Sequence, residues 1–292
     1  MELWFWAAIL AAILSGLGNY IFKIAAKRDY SSEMFSLYGG LMSVLVTVPL
    51  AALISGTNNI IWLAVTVAFL AGVIAATAGI TKVYALRHID TTIFFPLYKL
   101  ISPLLAIIFG LVFFDERFST LEWIGLGLGL VVPLLLITNS ERGRQSNLVA
   151  GLTLVLIGAV ISALSAAMHK YAIDLWNNVW WLLVAVSAGI FLGSILSMCW
   201  KNGIYKFISS AKEGTTLSAF KLSFTRSIIM CAAVWMSLYA LGNGGTLAVV
   251  HTVISMYILI PIILAIIFYN EHWNWQKATA IALSVVSLGF LG

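Results

Sequence analysis

Ten apolar stretches, each about long enough to cross a bilayer, divide this chain almost without remainder. Their limits are 4–24, 33–54, 60–86, 91–114, 119–138, 148–170, 177–200, 218–241, 246–269 and 274–291. About 20 residues at roughly 1.5 Å rise span the ~30 Å of hydrocarbon in a membrane, so each stretch predicts one transmembrane helix. The segments between them, such as RHID, DERFS and GNGG, and even the longest, KNGIYKFISSAKEGTT, are too short for a soluble domain. Only 9% of the residues are charged, against about 25% in a soluble domain. The solvent for this surface is lipid. Trp4, Trp6, Trp62, Trp176, Trp180, Trp200, Trp273 and Trp275 fall at or near span ends, as expected of an interfacial belt.

The two halves of the chain repeat. Tyr84-Ala85-Leu86 recurs as Tyr239-Ala240-Leu241, an offset of 155 that also pairs Thr91 with Thr246 and Glu116 with Glu271. Nearer the start of each half the offset is 147, pairing Ser15 with Ser162 and Lys23 with Lys170. The repeat is five spans long, and an odd number of spans makes the second copy enter the membrane from the opposite face. The expected fold is therefore an all-α integral membrane protein of ten transmembrane helices, as two inverted five-helix repeats, 1–145 and 146–292. Secondary transporters share that plan and place their binding site near the midplane between the copies.

Several function classes are disfavoured. Cys199 and Cys231 lie in different apolar stretches and suggest neither a disulfide framework nor a metal site. The start, MELWFW, has an acid and aromatics where a signal peptide would be basic. The net charge of +5 is spread over many short loops, which speaks against a nucleic-acid partner. No D-x-x-D, H-x-x-x-H or nucleophile elbow appears, so neither an enzyme nor a resident cofactor or metal is expected. The basic residues crowd the face that carries the odd-numbered linkers, Lys27, Arg28, Arg142 and Arg144 among them. The positive-inside rule would place that face in the cytoplasm and both termini outside.

The fourth span, from Thr91 to Arg117, carries the most chemistry. Pro96, Lys99, Pro103, Ala106 and Gly110 stand 3, 4, 3 and 4 residues apart, along one side of a helix. A lysine at that depth costs roughly 3 kcal/mol against lipid, so Lys99 is expected to face a hydrated, protein-lined interior. Pro96 and Pro103, with Pro261 in the second half, are expected to bend the lining helices.

Every acidic residue lies at a span end or in a linker, whereas basic groups occur inside spans. Lys99 and Arg226 are the deepest cations, with His251 next; Lys82 and Lys221 sit nearer span ends, where they could snorkel. Asn19 belongs to a polar stripe with Ser15 and Lys23, and Ser162, Ser165 and His169 form another. Ser255 shares a face with His251, and Tyr98, Tyr257 and Trp235 could wall an organic body. Cations without interior acids favour a substrate bearing a carboxylate or phosphate, a small organic anion or a zwitterion such as an amino acid or phosphorylated metabolite. Each group also has a plainer reading. Lys99 could bind carbonyls freed by the prolines, Arg226 could brace a helix junction, and His251 could be a satisfied interior histidine. The serines and Asn19 could bond between helices, and Trp235 could simply pack.

Ten spans in two five-span repeats, with Pro103 thirteen residues before Glu116-Arg117, resemble the EamA-type family of the drug/metabolite transporter superfamily. Here the fourth span ends Asp115-Glu116-Arg117 and the ninth Asn270-Glu271-His272, where the family's usual ending is closer to Gly-Glu-Arg. The resemblance implies a multi-pass carrier of the cell membrane, monomeric or homodimeric, that moves a small metabolite through a cavity between the halves. It also implies that Glu116 and Glu271 fix helix ends, and that both termini are cytoplasmic, the reverse of the basic-residue count. An exporter of drugs or other hydrophobic compounds is the alternative within the same fold.

Overall fold

A computed structural model of the chain describes residues 2–27, 32–55, 60–85, 88–89, 91–136, 148–213, 217–260, 263 and 275–292. Among them are ten α-helices: α1 (Leu3–Lys27), α2 (Ser32–Ser55), α3 (Trp62–Ala85), α4 (Thr91–Phe113), α5 (Thr120–Leu135), α6 (Leu148–Leu175), α7 (Val179–Glu213), α8 (Leu217–Gly242), α9 (Leu247–Ser255) and α10 (Trp275–Leu291). A single 3-10 turn, Met256–Ile258, follows α9. Seven helices, α1 to α4 and α6 to α8, are long and apolar enough to cross a membrane; α5, α9 with its turn, and α10 are shorter and equally apolar in character. Large apolar side chains cover the outside, Leu53 being 82% exposed, Val149 74% and Phe113 71%. That is an outer surface made for lipid.

Local rules place the helix starts. Ser119 opens α5 with a capping box: its hydroxyl accepts from the Glu122 N–H, and the Glu122 carboxylate accepts from the Ser119 N–H. Thr246 caps α9 by accepting from the Val249 N–H. Pro96 and Pro103 both lie inside α4, which continues through them. Pro261 lies outside the described residues.

Lipid gives little apolar driving force between helices, so close contact depends on small residues. The α3–α7 seam shows this directly. A Cβ on Gly72 would sit 2.2 Å from the Val186 carbonyl oxygen, and one on Gly189 only 2.0 Å from that of Phe69. Ala64, Ala68 and Ala71 on α3 are fully buried. Hydrogen bonds add register between α8 and α2: Ser223 donates to the Phe35 carbonyl and Ser227 to that of Gly39, both at 3.1 Å.

The broadest contacts join the two halves of the chain rather than neighbours in sequence: α3 with α6 and α7, α1 with α8, α2 with α7, and α5 with α10. Exchanging α1–α5 for α6–α10 maps this network largely onto itself. The α3–α6 contact becomes α1–α8, α4–α6 becomes α1–α9, and α3–α7 becomes α2–α8, all of which occur. The pairs α4 with α9 and α5 with α10 run antiparallel. In α4 and α9, Ser102 meets His251 while Lys99 meets Tyr257 farther along. In α5 and α10, Gly125 meets Leu291 while Gly129 meets Ser287.

One expected linker is corrected. The stretch 201–216 is helical as far as Glu213, because α7 runs on beyond its apolar span, which ends at Ser197. Ile204, Phe207 and Ile208 recur at helical spacing among lysines, and that amphipathic pattern continues a helix where no proline stops it.

Replacing Gly189 by Val forces α3 and α7 apart and is expected to cost about 1–3 kcal/mol, as overpacking does. The readout is a lower thermal midpoint of purified protein in detergent. Gly289→Ala serves as the comparison, because a Cβ there meets nothing within 4 Å.

Candidate functional site

The site is set by how α9 is held. After α4 ends, Asp115 turns the chain in the left-handed region, at φ 49°, a conformation that Asp tolerates better than most residues. The Glu116 N–H then bonds back to the Gly110 carbonyl at 3.0 Å. Its carboxylate reaches across to the second half of the chain. There Oε1 accepts from the Leu247 N–H at 2.5 Å, and Oε2 from the Ala248 N–H at 3.2 Å. A negative group on the first turn of a helix satisfies N–H groups that have no partner within it and complements the helix dipole. Burial pushes the Glu116 carboxyl above its ordinary range, while the two N–H donors and Lys170 pull it back. Gly110 is required beside it, since a Cβ there would come within 2.3 Å of Oε2.

Deeper along the same interface, Ser102 Oγ and His251 Nε2 lie 3.0 Å apart. One turn before Ser102, the Lys99 ammonium lies 3.9 Å from the centre of the Tyr257 ring and 5.7 Å from that of Tyr98. Lys99 is eight residues into α4, roughly 12 Å along its axis, and is buried. No main-chain carbonyl or carboxylate holds it among the described residues. The α-helical path of α9 ends at Ser255, and the 3-10 turn beginning at Met256 carries Tyr257 to the ammonium.

Two further cations join this group. Lys82 of α3 places its ammonium 3.5 Å from the Asn19 amide oxygen and 4.8 Å from the centre of the Phe95 ring. Phe95 is one helical turn from Lys99, and the two ammonium groups lie within electrostatic reach of each other. The Arg226 guanidinium is 5.8 Å from the Phe35 ring centre and within reach of Tyr257 and Lys82. Lys170 and Asp174 form an ion pair at 2.7 Å at the far end of α6.

On the other side of His251 is a cavity of about 190 Å³ between α1, α6, α8 and α9. Its polar lining is Ser15, Ser162, Ser165, Ser237, His169 and His251, with Ile254, Val234, Leu238 and Leu247 among its apolar walls. His169 Nε2 is buried without a hydrogen-bond partner among the described residues. Ser165 already donates to the Ala71 carbonyl at 2.9 Å, which ties α6 to α3.

The predicted residues thus separate. His251 lines the cavity, whereas Lys99, Tyr98, Tyr257, Asn19 and Arg226 form the cation-rich cluster beside it. Asn19 also donates to the Ser15 carbonyl at 2.7 Å, and Ser255 to that of Thr252 at 2.7 Å, within its own helix. Trp235 stacks on Tyr239, 5.3 Å between centres, and leans on Trp180, inside the apolar core. Lys82, read from sequence as free to snorkel, instead turns inward to Asn19. Depth counting alone missed it. Its spacing to Tyr84 and Ala85 gives no sign of the direction in which a four-carbon stem leans. Ser102, the partner of His251, was legible only as a position three residues after Lys99. Among the described residues no group of three or more His, Cys, Asp or Glu could hold a metal ion.

Residues 2–138 match the model of the EamA-like transporter family. A solved crystal structure resembles this chain with a TM-score of 0.74, covering 99% of this chain and 94% of that one at 15% identity. At that identity the likeness speaks for the fold alone. No curated protein matches the sequence.

Glu116→Ala leaves two N–H groups of α9 without their acceptor and is expected to cost about 1–3 kcal/mol of stability. Glu116→Gln keeps one acceptor oxygen and should cost less. Thermal or denaturant unfolding in detergent measures both.

Proposed function

From the premise that this chain belongs to the EamA-like transporter family, and so is a multi-pass membrane transporter, we propose that it moves a small organic anion across the bilayer by alternating access. The substrate passes unchanged through the region where the two halves meet. We take those halves, 1–145 and 146–292, as inverted repeats of five helices each. The antiparallel course of α4 against α9 and of α5 against α10 supports this reading, as does a contact network that survives exchange of the halves.

One observation carries the choice of substrate: the Lys99 ammonium, buried against the Tyr257 ring with Lys82 nearby and no carboxylate beside it among the described residues. Removing an ammonium from water costs several kcal/mol. A desolvated cation–π contact returns about 2 kcal/mol. The shortfall is what a visiting carboxylate, phosphate or sulfonate would make good, by neutralising the lysines while its body packs on Tyr98 and Tyr257. Asn19 accepts from Lys82 at 3.5 Å within this group, Arg226 lies within electrostatic reach of Tyr257, and His251 lines the serine-walled cavity next to it. Pro96 and Pro103 each remove one backbone hydrogen bond from α4, which leaves that lining helix freer to flex.

Counterflow in proteoliposomes tests this. Labelled organic anions (a carboxylate, a phosphate ester and the sulfonate isethionate) are expected to exchange through the parent protein. Lys99→Gln is expected to lower that exchange roughly tenfold to a hundredfold, the worth of a hydrogen bond to a charged group. A second reading, export of hydrophobic compounds with the bases structural, has one observation in its favour: Lys99 does not line the cavity. Dye efflux that is unchanged in Lys99→Gln, with no anion exchange in the parent, would establish that reading instead.

A further inference from the structure

We propose that His251 is the proton-coupling site, so that an anion and a proton cross together in the same direction; this rests on the anion reading above. Three observations converge. His251 lines the cavity, whose volume and serine-rich walls leave room for water beside its ring. Its Nε2 touches Ser102 at 3.0 Å. Ser102 lies one turn from Lys99 on α4, so the ring and the ammonium are neighbours across one helix interface.

Among the described residues the groups packed around His251 are positive or neutral. From α4 come Lys99 and Tyr98, from α6 His169, and from the following turn Tyr257. At the cavity, α1 presents Ser15 and α8 Ser237, with Arg226 farther along α8. From α5, Gly129 faces Thr252 of α9. No acid is present in this shell among the described residues, so no side chain there could offset a second positive charge beside Lys99.

A bound anion does so. Once a carboxylate, phosphate or sulfonate neutralises Lys99, its repulsion on the imidazole is relieved, and a proton from the open aqueous side can add to the ring's free nitrogen lone pair. Linkage makes the effect reciprocal: a protonated His251 holds the anion more tightly. The two leave together when the site opens to the other face, the proton returning to water there. A serine hydroxyl both donates and accepts, so the Ser102 contact persists in either charge state. Histidine is the side chain whose ordinary titration falls between about pH 5 and pH 8, the range in which such coupling is useful.

Isethionate is the probe, because a sulfonate stays ionised throughout that range and brings no proton of its own. Calorimetric titration of purified protein in buffers of different ionisation enthalpy counts the protons taken up on binding. The parent should take up close to one proton in the acid part of that range, and its Kd should rise up to about tenfold per pH unit until the pH passes the titration of the anion-bound ring, above which both effects fade. Uptake should persist in His169→Gln and vanish in His251→Gln. Should His251→Gln no longer bind isethionate, the side-chain NMR signals of His251 in the parent decide. The ring must gain a proton as isethionate is added, and an unchanged ring overturns the proposal. Binding without proton uptake in the parent overturns the coupling and leaves the anion reading intact, as does uptake that survives in His251→Gln. Absence of isethionate binding at every pH removes the anion site, and both readings fall.

Discussion

An ammonium held against an aromatic ring, inside a bundle whose outside is lipid, is the constraint on which the interior of this protein depends. Lys99 reaches neither bulk water nor a carboxylate among the described residues, and its nearest support is the face of Tyr257 at 3.9 Å. The ring's partial negative charge is too weak to replace a hydration shell. The helices around it therefore gather other polar groups: Lys82 on the Asn19 amide, Ser102 on His251, and Arg226 near Tyr257. The α9 helix gives way to a 3-10 turn at the same level, and that change of pitch brings Tyr257 to the cation. Broken helices near the midplane are tolerated where they line a polar interior, and scarcely anywhere else in a membrane.

The surrounding helices are held by means suited to lipid. Small residues let backbones approach, as at Gly72 and Gly189, and serines donate to carbonyls of neighbouring helices, as at Ser165, Ser223 and Ser227. The Glu116 carboxylate joins the end of α4 to the start of α9. This strap spans the two halves of the chain, so a motion of one half against the other acts on α9 at one end and on the His251–Ser102 contact within it. The strap joins Glu116, just past the end of α4, to the first turn of α9, while Lys99 and Ser102 lie deeper in α4.

Much of this was open to sequence reading, and the reasons differ by residue. The depth of Lys99 followed from counting along an apolar span, and its isolation from acids followed from every carboxylate falling at a span end or in a linker. The helix-end role of Glu116 came from the resemblance to the EamA-type family, and the structure shows its carboxylate on the first turn of α9. Lys82 was misjudged: distance from a span end fixes how far a lysine could snorkel, but not the direction it takes. Trp235 and Ser255 sit deep, yet their contacts are stacking and a bond within the helix. Depth alone does not distinguish a lining residue from a packed one.

The sequence by itself determined the solvent, the all-helical apolar character and the presence of basic groups deep within apolar stretches, because hydropathy and charge depend on composition along the chain. The tertiary structure alone decided which faces meet. In lipid nearly every helix face is apolar, and the contacts that select a partner are small residues and single hydroxyls with little sequence signal. Hence the meeting of Ser102 with His251, of Lys82 with Asn19, and of Glu116 with α9 could be found only where the two halves of the chain interleave.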